Sequence, residues 1–212
     1  MDQELIGTAN VTFAHKLEQL VKNIPASEVT LIELYEKIGK DSLMFFTIFL
    51  SLVFLVPVSV PGVSTAFGSA ILLIGIAQLL NRRLWLPDKI ATRAIASEKL
   101  TGVLNRALVW FRRFERISRP YRLQSLASEG KIGLFNKVSY ILAAILLMAP
   151  FGFIPFSNTL PAAALIFFAL GVIQKDGRCI IFGHLSNLAT ILYFSALIMG
   201  GGMTIFEVLQ RV

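Results

Sequence analysis

The chain has 212 residues, 55% of them apolar and only 16% charged, with a formal net charge of +7 and a mean hydropathy of +0.70. A soluble domain carries about 25% charged residues, so this composition places the chain in a membrane and leaves little room for a separate soluble domain. The single cysteine, Cys179, excludes an internal disulfide, and His15 and His184 stand far apart without the companions a metal site needs.

Residues 1–41 carry both charge signs and no apolar core before a small-residue cleavage site, so no cleavable signal peptide is expected. Val11, Leu17, Leu20, Val21 and Ile24 recur at helical spacing up to Pro25. Glu33 follows Thr30 by three residues, the spacing of a capping box, and Gly39 suits a helix stop. These predict two short amphipathic helices, lying at the membrane surface or packed on the basic middle segment.

Ser42 to Leu80 contains 39 residues without one Asp, Glu, Lys or Arg. Pro57, Pro61 and Gly62 interrupt it, and none of these continues a straight helix. The stretch therefore predicts two apolar arms, Ser42–Val56 and Ser64–Leu80, about 22 Å and 25 Å long. Both are short for a hydrocarbon core of about 30 Å. Either the arms cross with help from the break, or they form a re-entrant hairpin. In hydrocarbon, such a break needs protein or a water-filled cavity to satisfy its freed backbone groups.

Asn81 to Lys137 holds 13 Lys and Arg against four acids. A basic loop between apolar segments reads as cytoplasmic and close to anionic lipid headgroups. Topology accounts for the charge, so no nucleic-acid partner is expected. Arg82, Arg83 and Trp85 read as an interfacial anchor. Ile95 to Arg119 predicts an amphipathic interfacial helix with Leu100, Val103, Leu104, Leu108, Phe111 and Phe114 on one side and Arg106, Arg112, Arg113 and Arg116 elsewhere.

A second arm–break–arm unit follows. Leu134–Ala149 and Leu160–Gln174 flank a break containing Pro150 and Pro155, and Lys175-Asp176-Gly177-Arg178 forms the exit. Cys179–Met199 then provides 21 residues, enough to span alone, with Gly200-Gly201-Gly202 expected to end it and 200–212 left as a tail. The two broken units correspond: Pro57 and Pro61 to Pro150 and Pro155, Ser64-Thr65 to Asn158-Thr159, Gly75 and Ala77 to Ala169 and Gly171, Arg82-Arg83 to Asp176-Gly177. Repeated broken helices point to a central site in transporter-like folds.

The segment Leu55-Val56-Pro57-Val58-Ser59-Val60-Pro61-Gly62-Val63-Ser64-Thr65 and the exit Arg82-Arg83-Leu84-Trp85-Leu86-Pro87 resemble the ExoD family of bacterial exopolysaccharide-synthesis membrane proteins. Ile154-Pro155-Phe156-Ser157-Asn158-Thr159-Leu160-Pro161-Ala162 and Lys175-Asp176-Gly177 extend the resemblance, which runs by eye from about Thr30 to about Met199. It implies a multi-pass protein of the bacterial inner membrane, associated with exopolysaccharide production and tolerance of alkaline conditions. It carries no catalytic residues over.

The candidate substrate- or ion-binding residues are Ser59, Ser64 and Thr65 from one break and Ser157, Asn158 and Thr159 from the other. Freed carbonyls and half-helix N-termini would supply further acceptors and donors. Ser64 and either Asn158 or Thr159 are also expected to cap the second arm of each unit. Arg82, Arg83, Asp176 and Arg178 either form an ion pair across the repeat or face lipid headgroups. No buried carboxylate interrupts the apolar arms, so carboxylate-coupled pumping is not expected. No Ser/His/Asp set, nucleotide loop or metal-ligand spacing appears, so neither an enzyme nor a cofactor is expected. The alternative to a transporter-like role is an accessory subunit that docks other exopolysaccharide proteins through its basic helix.

Overall fold

The computed structural model describes residues 42–55, 62–80, 121–149, 154 and 156–200 with their side chains, and the backbone of 201–210. It also describes residues 18–19, 21–22, 28–30, 33, 94–97 and parts of 101–112. The fold is helical. Among the described residues the one sheet is a three-residue antiparallel ladder of β1 (Glu28–Thr30) on β2 (Ala94–Ala96), with Val29 opposite Ile95.

Five long helices form the body. They are α1 (Ser42–Leu52), α2 (Val63–Leu79), α3 (Lys131–Leu147), α4 (Thr159–Gln174) and α5 (Gly177–Gln210). α1 tightens into a 3-10 turn at Val53–Leu55, just ahead of Pro57, whose ring would collide with the carbonyl four residues back. α2 begins after Gly62, which sits at φ 84, a left-handed conformation that glycine adopts without a Cβ penalty.

The packing is reciprocal. α1 lies on α4, and α2 lies on α3, so the first helix of each pair meets the second helix of the other. The α2–α3 contact is antiparallel: Gly68 packs on Met148 near the breaks, and Gly75 packs on Tyr140 and Ile141 nearer the opposite end. A Cβ at Gly75 would come 2.9 Å from the Tyr140 ring. Gly75→Val is therefore expected to cost about 1–3 kcal/mol through overpacking, read as a lower unfolding temperature in detergent than for Gly200→Ala, where a Cβ meets open space.

α5 packs antiparallel on α4, with Gly171 against Ile180 and Phe168 against Gly183, and also packs beside α3. It contains 34 residues, or about 51 Å, whereas α2, α3 and α4 reach about 25 Å. The helix continues through Gly200-Gly201-Gly202, where the sequence suggested a stop. Glycine inside a helix costs only about 1 kcal/mol per residue relative to alanine, so three of them do not by themselves end it. Gly177–Gly200 is the described helix long and apolar enough to cross a membrane, and only 28% of its most apolar window is buried by the rest of the chain.

The core lies where α1, α3 and α4 meet, around Ile48, Leu147, Leu165, Phe168 and Leu170. Leu104 and Leu108 of the basic segment also join it, and Val21 packs against it. These two side chains of the expected interfacial face are covered by protein rather than turned toward a membrane surface, while Leu100, Val103, Phe111 and Phe114 lie outside the described residues. Ile95, expected to open this helix, stands instead in β2. The Thr30–Glu33 capping box forms in both directions: the Thr30 N–H donates to Glu33 Oε2 at 3.1 Å and the Glu33 N–H to Thr30 Oγ1 at 3.3 Å.

Candidate functional site

The helix ends that flank the two breaks lie at the same end of the helical body. Thr159, the first residue of α4, donates its hydroxyl to the Phe54 carbonyl oxygen at 3.0 Å. That carbonyl lies in the 3-10 turn that ends α1, among the last carbonyls of a helix, which lack a partner within it. The Phe54 ring meets Phe67 of α2 edge-on at 5.9 Å. Ser69 of α2 lies 3.9 Å from the sulfur of Met148, just past α3. Ends of all four helices are thus joined around the breaks.

Of the candidate residues, Ser64, Ser157 and Asn158 are buried, Thr159 is half-buried and Thr65 is exposed. Gly62 is described; Ser59, Pro57, Pro61, Pro150 and Pro155 lie outside the described residues, as do Arg82 and Arg83. The expected caps do not form. Gly62 occupies the N-cap of α2, and Asn158 occupies that of α4 without a side-chain bond to the helix. Asn158 has helical backbone angles, φ −91 and ψ −25, whereas a capping side chain reaches its amide from an extended conformation. The hydroxyl of Thr159 crosses to the other unit instead.

Phe156 adopts φ 63 while being 57% exposed. A bulky residue in the left-handed region costs about 1–2 kcal/mol, and such strain gathers at functional sites. Next to it, the Ser157 hydroxyl is buried without a hydrogen-bond partner.

Asp176 is fully buried, which removes headgroup contact for that residue. It caps α5: its Oδ1 accepts the Arg178 N–H at 2.9 Å, and its Oδ2 lies 3.8 Å from the Cys179 sulfur. A carboxylate suits the positive end of a helix dipole. Arg178 itself is exposed. In the basic segment, Arg112 is ion-paired with Glu18.

Sequence reasoning missed a second set of polar groups inside the body. Thr47 of α1 donates to the Leu43 carbonyl at 3.0 Å and lies 2.5 Å from the Tyr140 hydroxyl of α3. Its one proton is committed to Leu43, so Tyr140 is the donor in that pair. Between α3 and α5, Asn136 Oδ1 lies 3.0 Å from His184 Nε2, and the Asn187 amide donates to the Ser139 carbonyl at 2.8 Å. His184 stacks on Phe135 at 4.9 Å and meets the edge of Phe168 at 5.0 Å. The available signal was the recurrence of Ser, Thr, Asn and Tyr inside otherwise apolar arms.

A family model described as "Exopolysaccharide synthesis, ExoD" matches residues 13–196. The chain belongs to the ExoD family. The match begins well before Thr30, so part of the N-terminal amphipathic region belongs to the family pattern too. Protein ExoD of Rhizobium meliloti (strain 1021) is 39% identical over 191 residues, covering 90% of this chain and 79% of that relative. An uncharacterized protein of Synechocystis sp. is 33% identical over 168 residues, covering 77% of each chain. No solved structure matches. The ExoD family ties the chain to exopolysaccharide synthesis, and the family name specifies no reaction.

Proposed function

We propose that this ExoD-family chain is an inner-membrane protein of exopolysaccharide production, acting as a small transporter- or channel-like protein. Its polar site is formed where the two broken helix pairs meet. The observation that carries the reading is the Thr159–Phe54 bond, which joins one break to the freed backbone of the other.

The polarity of the body supports a membrane setting. Leu73, Ile76, Phe135, Leu142, Leu185, Leu188 and Leu192 face outward, while Ser42, Thr47, Ser51, Ser139 and Asn187 are buried. Water-soluble proteins avoid apolar outer surface on this scale, and small polar residues suit helix contacts in lipid. The basic residues of the described helices and their ends, Lys131, Lys137, Lys175 and Arg178, gather at the end opposite the breaks. By the positive-inside rule that end is cytoplasmic.

Helix pairs about 25 Å deep enter from there and turn back within a hydrocarbon core of about 30 Å, while α5 crosses it. The shared direction of both pairs and their reciprocal packing support a parallel repeat rather than an inverted one. The anionic lipid leaflet is then the neighbour of the basic segment. Docking on other exopolysaccharide proteins through that segment is the competing role. It is disfavoured because Leu104 and Leu108 are already buried and Arg112 is already paired.

The test is complementation in a bacterium whose own copy is deleted. Replacing Ser64, Thr65, Asn158 and Thr159 together by Ala is expected to reduce exopolysaccharide output at least tenfold, at unchanged protein level in the membrane fraction. The charge-reversed variant Arg112→Glu, Arg113→Glu, Arg116→Glu is expected to retain output. The opposite pattern would establish the docking role in its place.

A further inference from the structure

One side of α5 is left uncovered in a regular way. Ile181, Leu185, Leu188, Leu192, Ser195 and Met199 follow one another at alternating steps of four and three residues, the heptad spacing. All are exposed, the apolar ones between 46% and 63%. The sequence carries the same spacing on through Gly202, Phe206 and Leu209, nearly to the end of the helix at Gln210. The opposite side is already in use: Ile180 and Gly183 are buried against α4, and Asn187 against α3.

The neighbours of α5 end before it does. Gly171 meets Ile180 and Phe168 meets Gly183, so Thr159, the first residue of α4, falls opposite about Leu192. Asn136 meets His184 and Ser139 meets Asn187, so Leu147, the last residue of α3, falls opposite about Ser195. From there to Gln210 about 15 residues of α5, or about 22 Å, stand past both. Tilting does not hide them in a bilayer. At about 40°, the upper end of the usual range, a helix of about 51 Å still spans about 39 Å, against a hydrocarbon core of about 30 Å.

Two covers compete for the row. Lipid tails can fill its lower part, but they do not reach its last turn, and they impose no period. A repeat of 3.5 residues drifts by about 20° per heptad around a straight helix, and two helices wound left-handed about each other keep it facing inward. A second copy inserted in the same sense presents its own α5 in parallel, with the same row toward the first, as two-fold symmetry requires. Glu207 is the one Asp, Glu, Lys or Arg between Ile181 and Leu209, and it falls off the row, so like charges do not meet. Ser195 and Gly202 are small enough to let two backbones approach.

We infer that α5 is the docking surface for a second copy of this chain, the two helices packing in parallel along the row from Ile181 to Leu209. This rests on the membrane-embedded reading above and adds a partner to it.

Crosslinking and counting test the pair, with the full chain at high dilution in phosphatidylcholine–phosphatidylglycerol vesicles. Leu188→Cys and Met199→Cys, made separately, are expected to form a disulfide-linked dimer on mild oxidation about tenfold faster than Leu73→Cys, a position on α2 that is 61% exposed. The native Cys179 is buried, so the wild-type chain is expected not to crosslink. Single-molecule photobleaching is expected to show two steps per wild-type particle. It is expected to show one step for the triple variant Leu185→Ala, Leu192→Ala, Met199→Ala, with its helical circular dichroism unchanged. Wild-type particles that bleach in one step, or row cysteines that link no faster than Leu73→Cys, leave the row to lipid and overturn the inference. A crosslink in bacterial membranes to a chain of another mass gives the row to a different partner and does the same. The complementation test above uses residues at the breaks, so loss of the pair and loss of that site are told apart.

Discussion

Phe168→Ala is expected to destabilise the protein by about 3–5 kcal/mol, the largest effect of any single truncation proposed. The ring is 1% exposed and sits in the α4–α5 contact, with its carbons 2.9 Å from where a Gly183 Cβ would stand. It also presents an edge to His184. In a bilayer the unfolded reference is itself surrounded by lipid, so the loss is one of packing contacts around a cavity rather than of transfer from water. The cost should therefore fall toward the lower figure in lipid. Phe168→Leu refills most of the volume and is expected to cost less than about 1.5 kcal/mol. Thermal unfolding of the two variants side by side in one detergent checks the ordering; equal values would remove Phe168 from the α4–α5 seam.

Gly177→Val is expected to cost about 3 kcal/mol by overpacking and to act on one corner of the fold. Gly177 donates its N–H to the Arg122 carbonyl at 2.7 Å. A Cβ there would overlap the Leu123 carbonyl oxygen and come 2.9 Å from the Cβ atoms of Leu123 and Leu126. A backbone oxygen cannot rotate away as a long side chain can. Either residues 121–127 release the α4–α5 corner, or the start of α5 shifts and the Asp176 cap is lost. Both outcomes should appear as faster amide exchange at 121–127 and at Arg178, with the α2–α3 contact protected as before. Unchanged exchange at those amides would show that the corner yields without cost.

The helices flanking the breaks were legible because proline and glycine act locally: α1 has tightened into a 3-10 turn by Leu55, two residues before Pro57 in the sequence, and α2 starts straight after Gly62. The lengths of the four arms followed within a few residues, whereas α5 runs on to Gln210, past the expected end at Met199. α3 starts at Lys131 rather than Leu134, since a lysine at a helix end needs no apolar partner. The capping box at Thr30 and Glu33 was legible for the same reason: donor and acceptor are three residues apart.

What could not be read depends on partners far away in the chain. Thr159 resembles a cap until Phe54, 105 positions earlier, offers a carbonyl. Asp176 resembles a surface charge until the α4–α5 turn closes over it. Thr47 and Tyr140 are 93 positions apart, and no spacing rule links them. Under the membrane-embedded reading proposed above, the triple glycine misleads because its meaning depends on solvent: it ends helices in water and is tolerated within them in lipid.

The reciprocal packing has a consequence for synthesis. α1 and α2 reach the ribosome exit first, yet their main neighbours are α4 and α3, the former beginning roughly 80 residues after α2 ends; at about 5–20 residues per second this gap lasts several seconds. During that interval the nascent first pair holds Ser51 and the Phe54 carbonyl with nothing of its own chain to cover them. Under that membrane-embedded reading, biogenesis calls for an insertase or chaperone that shelters an unfinished half, and slowing translation between Leu80 and Lys131 should lengthen that dependence.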